Sequence, residues 1–386
     1  MTPAVVTTPT SSSPGLVLPA YAAGSLADLM PSIGAHLAVP GATDDVLGLP
    51  PSSRYVVVLV DGLGWNLVRR SAREVPFLAR LLAGGRSITA GVPSTTVTSL
   101  TSLGTGLPPG QHGMVGYTSR VPDTGEILNA LTWESDLLAR AYQPRPTFFE
   151  RAAAAGVTVS SVGLQRFQGS GLTEAALRGA TFVPFEHERA EDRRIALVTA
   201  AAARGDRSLV YAYERQLDHV GHGHGSGSEE WLRQLIRVDA MCERLRDALP
   251  DDVVLVVTGD HGMVDVPSAH QVVAEDEPDL MAGVSALAGE GRFRQLYVDV
   301  DEPARVAARW QEVLGDRAWV RTRDEAIDEG WFGPVAEDLR ERYGHVLVAM
   351  RGDWAVMTRQ YPRELTLVGM HGSLTEAEML VPLMLA

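Results

Sequence analysis

The sequence predicts an α/β protein: a mostly parallel central sheet flanked by helices on both faces, with a small α+β subdomain inserted late in the chain. Three observations lead there. Residues 55–61, Tyr-Val-Val-Val-Leu-Val-Asp, are a short apolar run, largely β-branched, that ends in a carboxylate. A run of this kind suits a strand buried on both faces, as in a parallel sheet. The design recurs at Val253-Val-Leu-Val-Val-Thr-Gly-Asp-His-Gly, and strand and helix patterns alternate between and around the two copies.

In chain order, residues 1–14 are rich in Thr, Ser and Pro and read as a disordered tail. They lack the basic start and continuous apolar core of a signal peptide. Residues 15–277 and 361–386 make up the main core, and 278–360 the small subdomain. The stretch 16–47 is a helical lead-in with a helix start at Ser25. Helices are expected over 63–72 and 76–83, the second closed by Gly84-Gly85. Residues 91–106, from Gly91-Val-Pro-Ser-Thr-Thr onward, are a hydroxyl-rich turn leading into a helix. The N-terminus of such a helix offers free N–H groups to a phosphoryl oxygen. Then follow a helix (149–155), a strand (157–162), a helix (195–203), a strand (208–213), a loop (216–228) and an amphipathic helix (229–249). Within the subdomain, strand 295–300, helix 303–314 and strand 318–321 suggest a βαβ unit, joined by strands at 345–350 and 354–357. The chain returns to the core with a last helix and an apolar tail.

Composition narrows the function. A chain of 386 residues with 45% apolar content buries a sizeable core. Its formal charge of −14 argues against nucleic acid or an anionic membrane as partner. A small phosphorylated substrate stays open, because bound divalent ions reverse the local field. The single cysteine, Cys242, rules out an internal disulfide. It shares a helical stripe with Trp231, Leu235, Val238, Leu245 and Leu249, which marks a buried structural thiol. No stretch of about 20 apolar residues could span a membrane, so a cytoplasmic setting is expected.

The chemistry lies in separated pieces. In open α/β sheets ligands bind beyond the carboxyl ends of the strands, which aims Asp61, Asp260 and His261 at one rim. Asp218 and His222, four apart, can converge on one ion from a helix or a tight loop. His371 precedes Gly372 near the end of the sequence. These six residues supply three carboxylates and three imidazoles, a set suited to two zinc ions. His219 and His224 read as ordinary loop histidines, and His112 as structural. The hydroxyl cluster adds a nucleophile, since a threonine Oγ becomes effective when its alkoxide is metal-bound. Capping alone also explains hydroxyls at a helix start, and composition leaves Thr95, Thr96 and Thr98 equally open.

Taken together, Asp61, Pro93-Ser-Thr-Thr, Asp218-x3-His222, Thr258-Gly-Asp-His-Gly-Met and His371-Gly resemble the alkaline phosphatase superfamily. The likeness is nearest to its nucleotide pyrophosphatase/phosphodiesterase branch and covers about residues 55–386. It implies Thr96 as the nucleophile, one zinc held by Asp218, His222 and His371, and a second held by Asp61, Asp260 and His261. Where the branch carries an Asn that contacts the phosphoryl group, the resemblance puts Ser99, a shorter donor. The activity implied is a two-zinc phosphoryl-transfer hydrolase, favouring diesters or nucleotides, with a covalent threonine intermediate. Phosphomonoesterase and phosphonate hydrolase are its alternatives, and a metal-holding binding protein the alternative of another class.

Overall fold

The computed structural model describes residues 13–42, 44–298 and 302–386. The tail expected over 1–14 lies outside them except for its last two residues.

Buried apolar runs form the middle of a seven-stranded sheet. Its first six strands are β1 (Arg54–Val60), β2 (Arg86–Thr89), β3 (Thr158–Leu164), β4 (Thr181–Phe185), β5 (Ser208–Glu214) and β6 (Val253–Gly259). A second sheet holds β7 (Val284–Glu290), β8 (Phe293–Val298), β9 (Ala318–Thr322) and β10 (Val346–Met350). The chain then re-enters the first sheet as β11 (Leu380–Leu385). The order across the large sheet is β2-β11-β6-β1-β5-β3-β4. Strand β1 pairs in parallel with β5 and β6, whereas β11 runs antiparallel to both its neighbours. The expected apolar tail is thus a strand buried inside the sheet.

The helices that bear on the argument are α1 (Pro76–Gly84), α2 (Thr96–Thr105), α3 (Glu191–Ala202), α4 (Gln216–His224), α5 (Glu229–Ala248) and α6 (Pro303–Leu314). Alternation along β1 assigns its side chains to two faces. Val56, Val58 and Val60 pack with Val198 of α3 and with Trp231, Leu235, Val238 and Cys242 of α5. Tyr55, Val57 and Leu59 pack on the other face with Leu100 and Leu103 of α2. Each fully buried Leu or Val contributes roughly 1.5–3 kcal/mol, and two filled faces fix β1 at the centre. Cys242 is buried on the stripe where the helical spacing put it. Ser228 starts α5 by accepting a hydrogen bond from the Trp231 N–H at 3.1 Å.

The smaller sheet has the order β7-β8-β10-β9. Because β10 is antiparallel to both β8 and β9, those two run parallel, and α6 is their crossover. The expected βαβ unit is therefore present but split by β10. Val306, Trp310 and Leu314 of α6 cover Leu296, Val320 and Val348. The expected strand at 354–357 instead pairs Ala355–Met357 with Gln271–Val273. Arg292 ties the small sheet to the core, donating to Glu378 at 2.7 and 2.8 Å with both side chains out of solvent.

Two further expectations change. The segment read as a loop over 216–228 is helical through His224. Its low-propensity glycines are offset by packing: a Cβ on Gly221 would lie 2.4 Å from the Met263 sulfur. Strand β4 escaped the sequence reading because Pro184 interrupts its apolar pattern and it sits at the sheet edge. No helix among the described residues is long and apolar enough to cross a membrane.

Candidate active site

The strand register brings the two leading acids together. Val60 of β1 lies opposite Gly259 of β6, so Asp61 and Asp260 leave the sheet side by side. Strand β5 borders β1 on the other side and feeds α4, which carries Asp218 and His222 one turn apart. The turn after Asp61 needs a glycine: Gly62 has φ +73°, and a Cβ there would meet Asp218 at 3.1 Å. Residues 369–370 pair with 264–265 and deliver His371 to the same rim. Thr96 opens α2, and no side chain caps that helix.

These residues form two touching groups. Asp61, Asp260 and His261 offer ligand atoms within 4.8 Å of one another, as do Asp218, His261 and His371. His261 stands between the groups, its ring stacked on that of His371 at 3.5 Å. His222 joins from α4, with Nε2 3.2 Å from Asp218 Oδ2 and its ring 5.2 Å from that of His371. Thr96 Oγ lies 3.4 Å from Asp61 Oδ1 and 3.3 Å from His261 Nε2.

Each imidazole is oriented through its other nitrogen. The Nδ1 atoms of His222, His261 and His371 face backbone oxygens of Gly369, Gly262 and Ser94 at 2.7, 2.9 and 3.0 Å. A carbonyl only accepts, so each Nδ1 carries the proton and each Nε2 presents a lone pair to the site. Burial, and then His261, hold the His371 pKa well below its ordinary value, keeping the ring neutral. Burial also opposes charge on His222, yet Asp218 outweighs it and raises that pKa.

The carboxylates lack matching cations. Burial, with Asp260 and Asp218 adding to it, pushes the Asp61 pKa well up, although Tyr213 donates a hydrogen bond to its Oδ2. Burial alone would raise Asp218 as well, but His222 and His371 hold it below its usual range. Asp260 Oδ1 accepts from the N–H groups of Gly62 and His261 at 2.9 and 3.0 Å. Asp260 Oδ2 and Asp218 Oδ1 are buried without any hydrogen-bond partner. Buried acceptors left open beside three lone-pair nitrogens fit divalent cations, whose ligands are carboxylate oxygen and neutral imidazole. All seven expected ligand and nucleophile residues are thus brought together.

Ser99 does not join them. It is wholly buried, and its hydroxyl donates to the Asp260 carbonyl at 2.7 Å. Three residues beyond Thr96 on α2, it faces the end of β6 and not the cavity, so its proton is committed to the backbone. His112 is structural, as read. It is fully buried between the Ser102 hydroxyl at 3.0 Å and the Met114 N–H at 3.1 Å, and burial takes its pKa down to about 3.

A cavity of about 390 Å³ opens beside Thr96, Asp61, Asp218, His222 and His371. Its wall is largely apolar, with Leu100, Val162, Phe167, Leu172, Leu177 and Phe182 among its side chains. His219 lines it, while His224 does not. The sequence reading missed Tyr213 and Glu290, which also face the cavity. For Tyr213 a signal existed, as it lies one residue before the end of the strand that borders β1; for Glu290, on the other sheet, there was none.

Comparison with known proteins identifies the family and a shared fold. The family model described as type I phosphodiesterase / nucleotide pyrophosphatase matches residues 55–374. Murine ectonucleotide pyrophosphatase/phosphodiesterase 5 superposes with a TM-score of 0.68 at 17% identity, covering 86% of this chain and 87% of that one. An inactive form of that protein has also been solved in complex with AMP. Phosphonoacetate hydrolase from Sinorhizobium meliloti, in complex with phosphonoformate, gives 0.65 at 20% identity, with 86% and 89% covered. A shorter stretch of 59 residues is 37% identical to the catalytic subunit of human GPI ethanolamine phosphate transferase 3, spanning 15% of this chain and 5% of that relative. The family match takes in every residue of the two acid–imidazole groups and Thr96, and the chain belongs to the type I phosphodiesterase / nucleotide pyrophosphatase family, hydrolases of phosphoric ester bonds.

Proposed function

We propose that the chain is a two-zinc phosphodiesterase that works through a covalent intermediate on Thr96. The observation that carries this reading is the position of Thr96 Oγ, within 3.4 Å of both Asp61 and His261 at the end of an open cavity. Asp61, Asp260 and His261 would hold one ion, and Asp218, His222 and His371 the other. Bound there, the ions would favour the alkoxide form of Thr96 and screen charge on the leaving oxygen.

The chain's own residues supply the rest. Thr96 Oγ forms a bond to phosphorus as the bond to the leaving alcohol breaks, and the threonine proton ends on that alcohol. Water then cleaves the phosphothreonine and restores the hydroxyl. The uncapped first turn of α2 directs backbone N–H groups toward the phosphoryl oxygens. The apolar wall suits an organic second substituent, which a diester has and a monoester lacks. A nucleotide is one such substrate class.

Three measurements test the reading. Protein purified without chelator should contain about two zinc ions per chain; no tightly held divalent ion, or magnesium alone, would exclude it. Thr96→Ala should abolish turnover while zinc stays bound, and Thr95→Ala should keep most activity. With wild type, bis-p-nitrophenyl phosphate should show a higher kcat/KM than p-nitrophenyl phosphate. The reverse order would keep the threonine mechanism and move the protein to the phosphomonoesterases.

A further inference from the structure

We propose that Glu290 is a specificity-determining residue that admits a singly charged phosphoryl group and penalises the second negative charge of a phosphomonoester. The proposal rests on the diester reading above and supplies a physical cause for it.

Glu290 ends β7 and reaches the catalytic cavity from the small sheet. It is only 9% exposed, and its Oε1 has no hydrogen-bond partner. Oε2 accepts a hydrogen bond from the Tyr117 N–H at 3.3 Å, and the Thr95 hydroxyl also stabilises the charged carboxyl. The carboxyl lies against the isolated bridge that links Ser94 of the nucleophile turn to Gly372, next to His371. Ser94 N–H donates to the Gly372 carbonyl at 2.9 Å. A Cβ on Gly372 would lie 2.8 Å from Glu290 Cγ and 3.0 Å from Oε1. One free carboxyl oxygen is therefore held beside the residues that flank Thr96.

Nearby cations do not neutralise it. Arg294, whose charge acts on Glu290, is committed to Glu364 in a buried pair. Arg363 also lines the cavity, but its side chain forms no ion pair with Glu290 among the described residues. A phosphoryl group at Thr96 thus meets a carboxyl where a phosphate site would ordinarily place Arg or Lys. A neutral carboxyl there gives one hydrogen bond and no positive charge. An ionised one repels, and repulsion grows with each charge on the phosphoryl oxygens. Either way the dianion of a monoester is held less well than the monoanion of a diester.

The test compares wild type, Glu290→Gln and Glu290→Asp on bis-p-nitrophenyl phosphate and p-nitrophenyl phosphate at pH 9. That pH lies above the value of about 8 to which burial pushes this carboxyl. Glu290→Gln keeps the size and removes the charge. It should raise the monoester-to-diester ratio of kcat/KM about tenfold or more. Glu290→Asp keeps the charge and should keep the wild-type ratio, whatever its overall rate. A ratio unmoved by Gln, or moved equally by Asp, would overturn the proposal, because a merely structural role lowers both substrates together. The wild-type preference is a separate result: a monoester preference would refute the diester reading and leave this ratio test intact.

Discussion

At the scale of single residues, burial and charged neighbours compete over the charge state, burial prevailing at Asp61 and His371 and the neighbours at Asp218 and His222. His112 shows the effect of burial where no metal is involved. Its folded pKa of about 3 lies below the ordinary 6.5, so an unfolded chain takes up the proton first. The neutral ring therefore contributes stability that is present above pH 6.5 and lost as the pH falls toward 3. We expect His112→Gln to be less stable than wild type by about 1–3 kcal/mol at pH 7. The gap should narrow at pH 4.5, as urea unfolding at the two pH values would show. Among the site residues, Asp61, Asp260 and His261 were legible because an acid at the end of an apolar strand leaves few places for it to point. Glu290 was not: its strand belongs to another sheet, and only the folded chain sets it against Gly372. Ser99, which the resemblance puts at the phosphoryl group, gives its hydroxyl proton to the Asp260 carbonyl, a partner that likeness in sequence does not reveal.

At the scale of elements, α4 is where sequence and structure part. Its four-residue spacing of Asp and His was readable as one helical turn, while its glycines argued for a loop. The glycines instead let α4 approach its neighbours. Gly221 meets the Met263 sulfur, and a Cβ on Gly369 would lie 2.5 Å from the Gly221 carbonyl oxygen. Since Gly369 also accepts from His222, this contact sets where that imidazole points. Gly221→Val should push α4 outward at a cost of about 1–3 kcal/mol. It should deplete the ion assigned to Asp218 and His222 more than the one assigned to Asp61 and Asp260. Elemental analysis beside thermal unfolding would separate the two effects, and full zinc retention would refute the coupling.

At the scale of the whole molecule, the alternation of strand and helix made the large sheet legible, because each parallel strand needs a crossover and leaves one in the sequence. Strand β11 carries no such mark: an apolar run after a short helix reads the same whether it frays or inserts. It inserts between β2 and β6, with its paired residues Leu380 and Leu383 buried. That placement has a consequence for synthesis on the ribosome. Strand β6, which carries Asp260 and His261, leaves the exit tunnel with one hydrogen-bonding edge unfilled, and the edge stays open until β11 emerges. An open apolar edge is a template for pairing with another chain, and a contact this distant in sequence forms slowly. The nascent protein should therefore depend on a holdase until β11 emerges. A chain stopped at Met379 should collect in the insoluble fraction, and the same strand supplied as a separate peptide should recover part of it.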